Sequence, residues 1–201
     1  MSVNVAVLVS GGGTNLQALI DASARGELPS ARLCLVVSNN PDAYALERAK
    51  AAGIDTAVCV RKGCSQAEFE AELAAILEEK DIELIVLAGF MAILSADFVS
   101  RYPERILNVH PSLIPSFCGE GFYGLRVHRA ALDYGVKVTG ATVHFVNEVP
   151  DGGRIIFQKA VDILDGDTPE TLQRRVMEQA EWILLPRALE KVASEQMKER
   201  F

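Results

Sequence analysis

The chain is poor in cysteine and holds no paired cysteines. Cys34, Cys59, Cys64 and Cys118 include no CxxC pair and no metal-ligand spacing. Zinc-ribbon and dithiol redox classes are therefore set aside, and reduced thiols in a cytoplasmic protein are expected. Basic residues are also in deficit, with 20 Lys and Arg against 27 Asp and Glu and a formal net charge of −7. That balance argues against a broad nucleic-acid or anionic-membrane surface, although a local site can still take a small anion. Long apolar runs are missing too. "MSVNVAVLVSGGG" has no basic n-region and too short an apolar run for a signal peptide, and no other stretch is long enough to span a bilayer. No internal repeat, low-complexity segment or long linker breaks the chain.

What is present is an alternation of strands and helices over 201 residues, enough for one domain with a substantial core. "VNVAVLV", "ARLCLVVSN", "DTAVCV", "ELIVLAG" and "ERILNV" read as strands. "TNLQALIDASARG", "DAYALERAKAAG" and "SQAEFEAELAAILEEK" read as the helices between them, the last with Ser65 as its N-cap. Near-continuous Val, Ile and Leu strands separated by helices predict an α/β fold, a doubly wound, mostly parallel sheet with a Rossmann-like N-terminal half. After about residue 110 the pattern changes. A helix over 126–134 precedes two strands, "KVTGATVHFVNE" and "GRIIFQKAVDI", expected to be antiparallel or mixed with the sheet. A last helix comes after them, with Thr168 as N-cap, Pro169 at its first position and Pro186 expected to kink or divide it. One domain over 1–201 is expected, with halves at about 1–110 and 111–201.

Ser10 to Gly13 join the first strand to the first helix. Glycines let backbone N–H groups approach a ligand, and a helix N-terminus favours an anion. A dinucleotide fingerprint does not fit, because Leu16 stands where its third glycine belongs. The second strand ends in Ser38, Asn39 and Asn40, with no acidic residue for a ribose. No Lys-Ser/Thr comes after the loop, which removes a Walker A motif. A mono-phosphate site at this loop, with Thr14 and Asn15 adding side-chain donors, is the preferred reading; a ligand-free tight turn is the alternative.

"LNVHPSLIPSFCGEGFYG" places Asn108 and His110 two residues apart at the end of the fifth strand, so both side chains can share a face. Pro111 and Pro115 stiffen the loop beyond the pair. An amide donor beside an imidazolium suits an oxyanion formed when a nucleophile attacks a carbonyl. Such a histidine needs a carboxylate to hold its charge, and Asp151, in "NEVPDGGRII", is the best candidate. Taken alone, N-x-H fits a packed or surface histidine better than a catalytic one. His144, alternating with apolar residues, and Thr142 on the same face are possible site-lining residues. His128 is expected to cap a helix or lie on the surface.

Together, "SGGGTNLQALI", "VLAGFMAIL", "LNVHPSLIPSF", "GATVHFV" and "DGG" resemble the phosphoribosylglycinamide formyltransferases of purine synthesis, in the right order and over about residues 3–190. The resemblance implies formyl transfer from 10-formyltetrahydrofolate, as cosubstrate, to the amine of glycinamide ribonucleotide. It implies no metal, no nucleic-acid or membrane partner, and a monomer or homodimer. Asn108, His110 and Asp151 would be the catalytic set, with Asp151 keeping His110 charged. Gly13, Thr14 and Asn15 would hold the phosphate, with Pro111 and Glu181 as further ribonucleotide contacts. Phe90, Met91, Ala92, Ile93 and Leu94 would border the pterin, joined by Asn108 and Gln66.

Departures from the family pattern are specific. Ala92 replaces an arginine, and Gln66 stands where a second basic residue is common; Arg61 and Lys62 lie near enough to compensate. A Glu-His pair before the helix-dividing proline reads Glu181-Trp182 here, with one extra residue upstream. The loop over 116–124 is expected to act as a flap. Rival readings are formyltetrahydrofolate hydrolase or another formyltransferase, such as the methionyl-tRNA enzyme, and a non-catalytic nucleotide-binding module. The first two usually carry a further domain, which a chain starting its first strand at Val3 and ending soon after its last helix is not expected to have. The last would predict damage to the trio, and Asn108, His110 and Asp151 are all present.

Overall fold

The computed structural model describes residues 2–200. Its seven strands form a single sheet in the order β3-β2-β1-β4-β5-β6-β7. β1 (Val3–Val9), β2 (Ala31–Ser38), β3 (Asp55–Val58), β4 (Leu84–Leu87) and β5 (Ile106–His110) run parallel. β6 (Val138–Phe145) and β7 (Ile155–Asp162) are antiparallel additions at the far edge. The α/β doubly wound fold expected from the alternation is the one found.

The helices cover both faces, and the side-chain period of β1 shows why its sequence is apolar apart from the half-buried Asn4 near its start. Val3, Val5, Val7 and Val9 enter one core cluster, with Leu16 and Leu19 of α1 (Thr14–Ala24) and Leu185 and Leu189 of α7 (Trp182–Glu199). Ala6 and Leu8 point the other way, into a second cluster with Phe69, Leu73 and Leu77 of α3 (Gln66–Glu79). A strand buried on both faces has no polar side to alternate with.

Helix starts follow their caps. Ser65 accepts from the Glu68 N–H in a capping box at α3, and Thr168 does the same for Thr171 at α6 (Pro169–Val176), with proline in the first turn. α2 (Tyr44–Ala51) and α5 (Leu125–Tyr134) also fall where the spacing puts them. α4 (Ala96–Ser100), a short helix capped by Ser95, is not legible in the apolar spacing.

The expected division of the last helix at Pro186 is not found. α7 passes through Pro186, and the departure from α geometry lies upstream, in a π turn over Met177–Glu181. A π turn houses one residue beyond the α repeat. The extra residue upstream of Glu181 is thereby accommodated without ending the helix.

This topology sets the site. The loops after β1 and β4 and the end of β5 share one edge of the sheet, where ligands of open α/β sheets bind. The antiparallel β6 then lays Thr142 opposite His110 and His144 opposite Asn108.

Candidate active site

The first arm of the site is the glycine loop. Gly13 sits in the left-handed region at φ 72°, and a Cβ there would lie 2.6 Å from the Ala45 Cβ. Helix α1 starts without a side-chain cap. The N–H groups of Gly12, Gly13, Thr14 and Asn15 have no protein acceptor among the described residues. They form a cluster of free donors on a helix N-terminus, the arrangement that suits an anion. Thr14 is exposed, with its hydroxyl 3.8 Å from the Met177 sulfur. Asn15 donates through Nδ2 to the Glu181 carboxylate at 2.7 Å, while its Oδ1 is buried with no partner among the described residues. Burial pushes the Glu181 carboxyl up to about 7, against the Asn15 hydrogen bond. Trp182, next in the chain, also keeps a buried Nε1 without an acceptor among the described residues.

The second arm is the polar cluster at the end of β5. Cross-strand pairing brings Asn108 Nδ2 to 3.3 Å from His144 Nε2. His144 Nδ1 lies 2.7 Å from the Phe145 carbonyl, which can only accept, so Nδ1 carries the proton. In the neutral ring Nε2 is then free to accept from the Asn108 amide, which fixes which end of that amide faces the histidine. Asp151 faces both histidines: one carboxylate oxygen is 3.4 Å from His110 Nδ1 and the other 3.5 Å from His144 Nε2. Asp151 itself adopts φ 55°. Behind it, a Cβ on Gly153 would collide with the Phe145 carbonyl oxygen. The DGG turn is therefore held tight against β6, and this aims the carboxylate.

Burial works to raise the Asp151 carboxyl, but the neighbouring His144, the hydrogen bond from the Gly119 N–H and the nearby His110 outweigh it, and the net direction is down. For His110 burial is the larger influence and lowers its pKa; Asp151 and the Phe117 carbonyl pull upward, and His144 adds to the lowering. The expectation that Asp151 keeps His110 charged thus meets a counterweight in the substrate-free chain. The ring nonetheless faces acceptors on both sides, with Nε2 2.9 Å from the Phe117 carbonyl. Only the doubly protonated ring satisfies both.

The loop over 116–124 closes on this cluster at two points. The Phe117 carbonyl meets His110, and the Gly119 N–H donates to Asp151 at 2.8 Å. His128, expected at a cap or on the surface, is instead fully buried. Neither of its ring nitrogens has a partner among the described residues. Burial depresses its pKa to about 4, with His110 adding to the effect. Helix α5 turns this face inward because Val127 and Ala131 beside it are buried too. Thr142 is a brace: its hydroxyl donates to the Ser112 carbonyl at 2.7 Å and accepts from the Ile114 N–H and Gln158. Pro111 and Ser112 are thereby held against β6.

The third arm is the segment after β4. Met91 and Ile93 are exposed, Phe90 and Leu94 are half-buried, and Ala92 packs into the second core. The residue in the arginine position therefore turns inward. Ser10 of the glycine loop accepts from the Met91 N–H at 2.8 Å, tying two arms together. Gln66 does not reach outward; its amide donates to the Ile93 carbonyl and to Glu70. Glu70 also accepts from the Ser95 N–H and hydroxyl.

Glycine loop, polar trio and outward-facing segment lie at one sheet edge. The formyl transferase family profile matches residues 3–189. The chain belongs to the formyl transferase family. It is 44% identical over 176 residues to phosphoribosylglycinamide formyltransferase of Haemophilus influenzae, covering 87% of this chain and 80% of that protein. The solved structure of glycinamide ribonucleotide transformylase 1 from Symbiobacterium toebii superposes with a TM-score of 0.90 at 41% identity, covering 96% of this chain and 89% of that one. The trifunctional purine biosynthetic protein adenosine-3 of Gallus gallus is 50% identical over 193 residues, covering 96% of this chain; the chain spans 18% of that relative's length.

Several residues around this candidate site escape sequence reasoning. Ser10, Arg48, Glu70, Phe117 and Gly119 all contact site segments through loop or side-chain geometry. Ser10 lies in the glycine loop and Phe117 and Gly119 in the 116–124 loop that the sequence already singles out, whereas Arg48 and Glu70 give no advance signal.

Proposed function

We propose that this chain transfers the formyl group of 10-formyltetrahydrofolate to the primary amine of glycinamide ribonucleotide, in purine biosynthesis. The observation that carries the reading is that Asn108, His110 and Asp151 come together at the sheet edge that also bears a loop whose N–H donors have no acceptor among the described residues. Residues 1–201 act as one formyltransferase domain, the first half holding the phosphate and the second completing the folate and catalytic site. Gly13, Thr14 and Asn15 hold the phosphate, and Glu181 and the Pro111 backbone meet the rest of the ribonucleotide. Phe90 to Leu94 border the pterin, Met91 and Ile93 by their exposed side chains. Gln66 acts by shaping this segment through Ile93 rather than by touching the folate.

The amine attacks the formyl carbon directly, and a C–N bond forms as the carbonyl oxygen takes up negative charge. Asn108 donates to that oxygen through Nδ2, and His110 supplies the second donor once Nε2 is released from the Phe117 carbonyl. The negative charge raises the proton affinity of His110 at the moment when burial would otherwise keep it neutral. The proton lost by the amine passes to N10 of the folate through Asp151 and water. The C–N10 bond then breaks, giving formylated ribonucleotide and tetrahydrofolate. His144 and Thr142 position the donors rather than touch the reacting atoms.

The test is turnover of a 10-formyl folate followed by absorbance, with and without the ribonucleotide. Turnover that requires the ribonucleotide and vanishes in His110→Ala is expected. Turnover independent of the ribonucleotide would replace this reading by hydrolysis.

A further inference from the structure

The glycine loop is held from behind by helix α2, and Arg48 makes most of that grip. Its Nε donates to the Gly12 carbonyl at 2.8 Å, and its Nη1 to Gln17 Oε1, one turn into α1, at 2.9 Å. The guanidinium also stacks on the Tyr44 ring, 5.0 Å from its centroid. Beside it, the Ala45 N–H donates to the Gly11 carbonyl at 3.0 Å, and the Gly13 carbonyl accepts from the Gln17 N–H at 2.9 Å. Gly13 lies so close to Ala45 that no Cβ fits between them. Three successive carbonyls of the loop are thus occupied on the α2 and α1 side.

This fixes the other side of the loop. In a planar trans peptide the C=O and the N–H point in opposite directions. A Gly11 carbonyl turned toward α2 sends the Gly12 N–H away from it. A Gly12 carbonyl bound by Arg48 does the same to the Gly13 N–H. Those are two of the donors left without a protein acceptor among the described residues. Successive N–H groups turned to one side, ending in a left-handed residue, make an anion-binding concavity. Glycines would otherwise flip these peptides readily, and each flip would present a carbonyl to the anion.

We infer that Arg48 is a positioning residue for the ribonucleotide's phosphate: it touches no substrate but, by holding the Gly12 carbonyl, locks the Gly13 N–H in the anion-facing orientation, beside the Gly12 N–H that the Ala45 N–H sets through the Gly11 carbonyl. The inference rests on the phosphate reading of the loop. The planar fork matters, because one group must reach a backbone carbonyl and a side-chain amide together while sitting over the Tyr44 ring.

The experiment compares kcat/KM for glycinamide ribonucleotide with that for the riboside lacking the phosphate. In Arg48→Met the ratio should fall about tenfold, the size of one lost charge-assisted hydrogen bond. Inhibition by inorganic phosphate should weaken by the same factor, and the folate KM should not change with it. Arg48→Lys keeps a donor for Gly12 but not the Gln17 brace, and should recover part of the ratio. If the Met variant does not fold, the Lys variant carries the test: a several-fold fall against wild type supports the inference and no fall overturns it. A ratio unchanged in Arg48→Met, or an equal rise in the folate KM, overturns it as well. Wild-type protein that shows neither preference for the phosphorylated acceptor nor inhibition by phosphate would instead refute the phosphate site itself.

Discussion

Asp151 places one carboxylate oxygen 3.4 Å from His110 Nδ1, from a turn in the loop between the two antiparallel strands. The contact joins the end of the parallel sheet to the part of the chain that departs from it. Asp151→Asn keeps the shape but removes the charge that opposes the lowering of the His110 pKa by burial. Its kcat should fall by about two to three orders of magnitude, the range for a lost proton-transfer or oxyanion partner, with far smaller changes in either KM. Steady-state kinetics in both substrates decide this. A near-normal kcat would remove Asp151 from the chemistry.

Gly153→Ala tests how Asp151 is aimed. The added methyl would run into the Phe145 carbonyl oxygen, so the DGG turn must shift. A loss of about 1–3 kcal/mol in urea unfolding is expected, as for other overpacked sites. A fall in kcat should accompany it even where the variant remains folded. Wild-type turnover in a destabilised variant would show that the turn does not set the carboxylate.

Thr14→Ala with Asn15→Ala removes two side chains from the anion loop and strips Glu181 of its hydrogen bond. The KM for the ribonucleotide should rise about tenfold or more, on the scale of lost charge-assisted hydrogen bonds. The folate KM should stay near its wild-type value. Equal rises in both would mean that the double variant disturbs the fold rather than the phosphate.

His128 makes a prediction about pH. Its folded pKa, about 4, lies below the ordinary 6.5, so the unfolded chain takes up the proton first as pH falls. Stability from the neutral, buried ring is therefore present above about pH 6.5 and lost progressively between there and pH 4. At about 1.4 kcal/mol per pKa unit, the loss at pH 5 is about 2 kcal/mol. Urea unfolding of His128→Leu at pH 7.5 and pH 5.0 should show a smaller drop than wild type by that amount. An equal drop in both would place the acid sensitivity elsewhere.

The strands and caps were legible because they depend on neighbours in sequence. The Val3 to Val9 run, the Ser65 and Thr168 caps and the Asn108–His110 spacing carry their own periodicity or chemistry. The pairing of Asp151 with His110 was legible from their chemistry, and the roles of the folate-side segment only through family resemblance. What stayed hidden depends on tertiary packing. His128 reads as a helix-surface histidine until Val127 and Ala131 turn its face inward. Gln66 reads as a replaced charge until its amide is seen on the Ile93 carbonyl. The π turn hides because a single inserted residue leaves the helical pattern nearly intact, and Pro186 attracts the break to the wrong place. Arg48 carries no signal at all, since its target is a backbone carbonyl of another element.

The most direct test of formyl transfer itself tracks the carbon atom. Folate labelled with carbon-13 in the formyl group would be turned over with glycinamide ribonucleotide, and both the ribonucleotide product and free formate measured by mass spectrometry. One labelled N-formyl ribonucleotide for each folate consumed, with no labelled formate, is the result expected. Labelled formate in place of labelled ribonucleotide would contradict direct transfer to the amine.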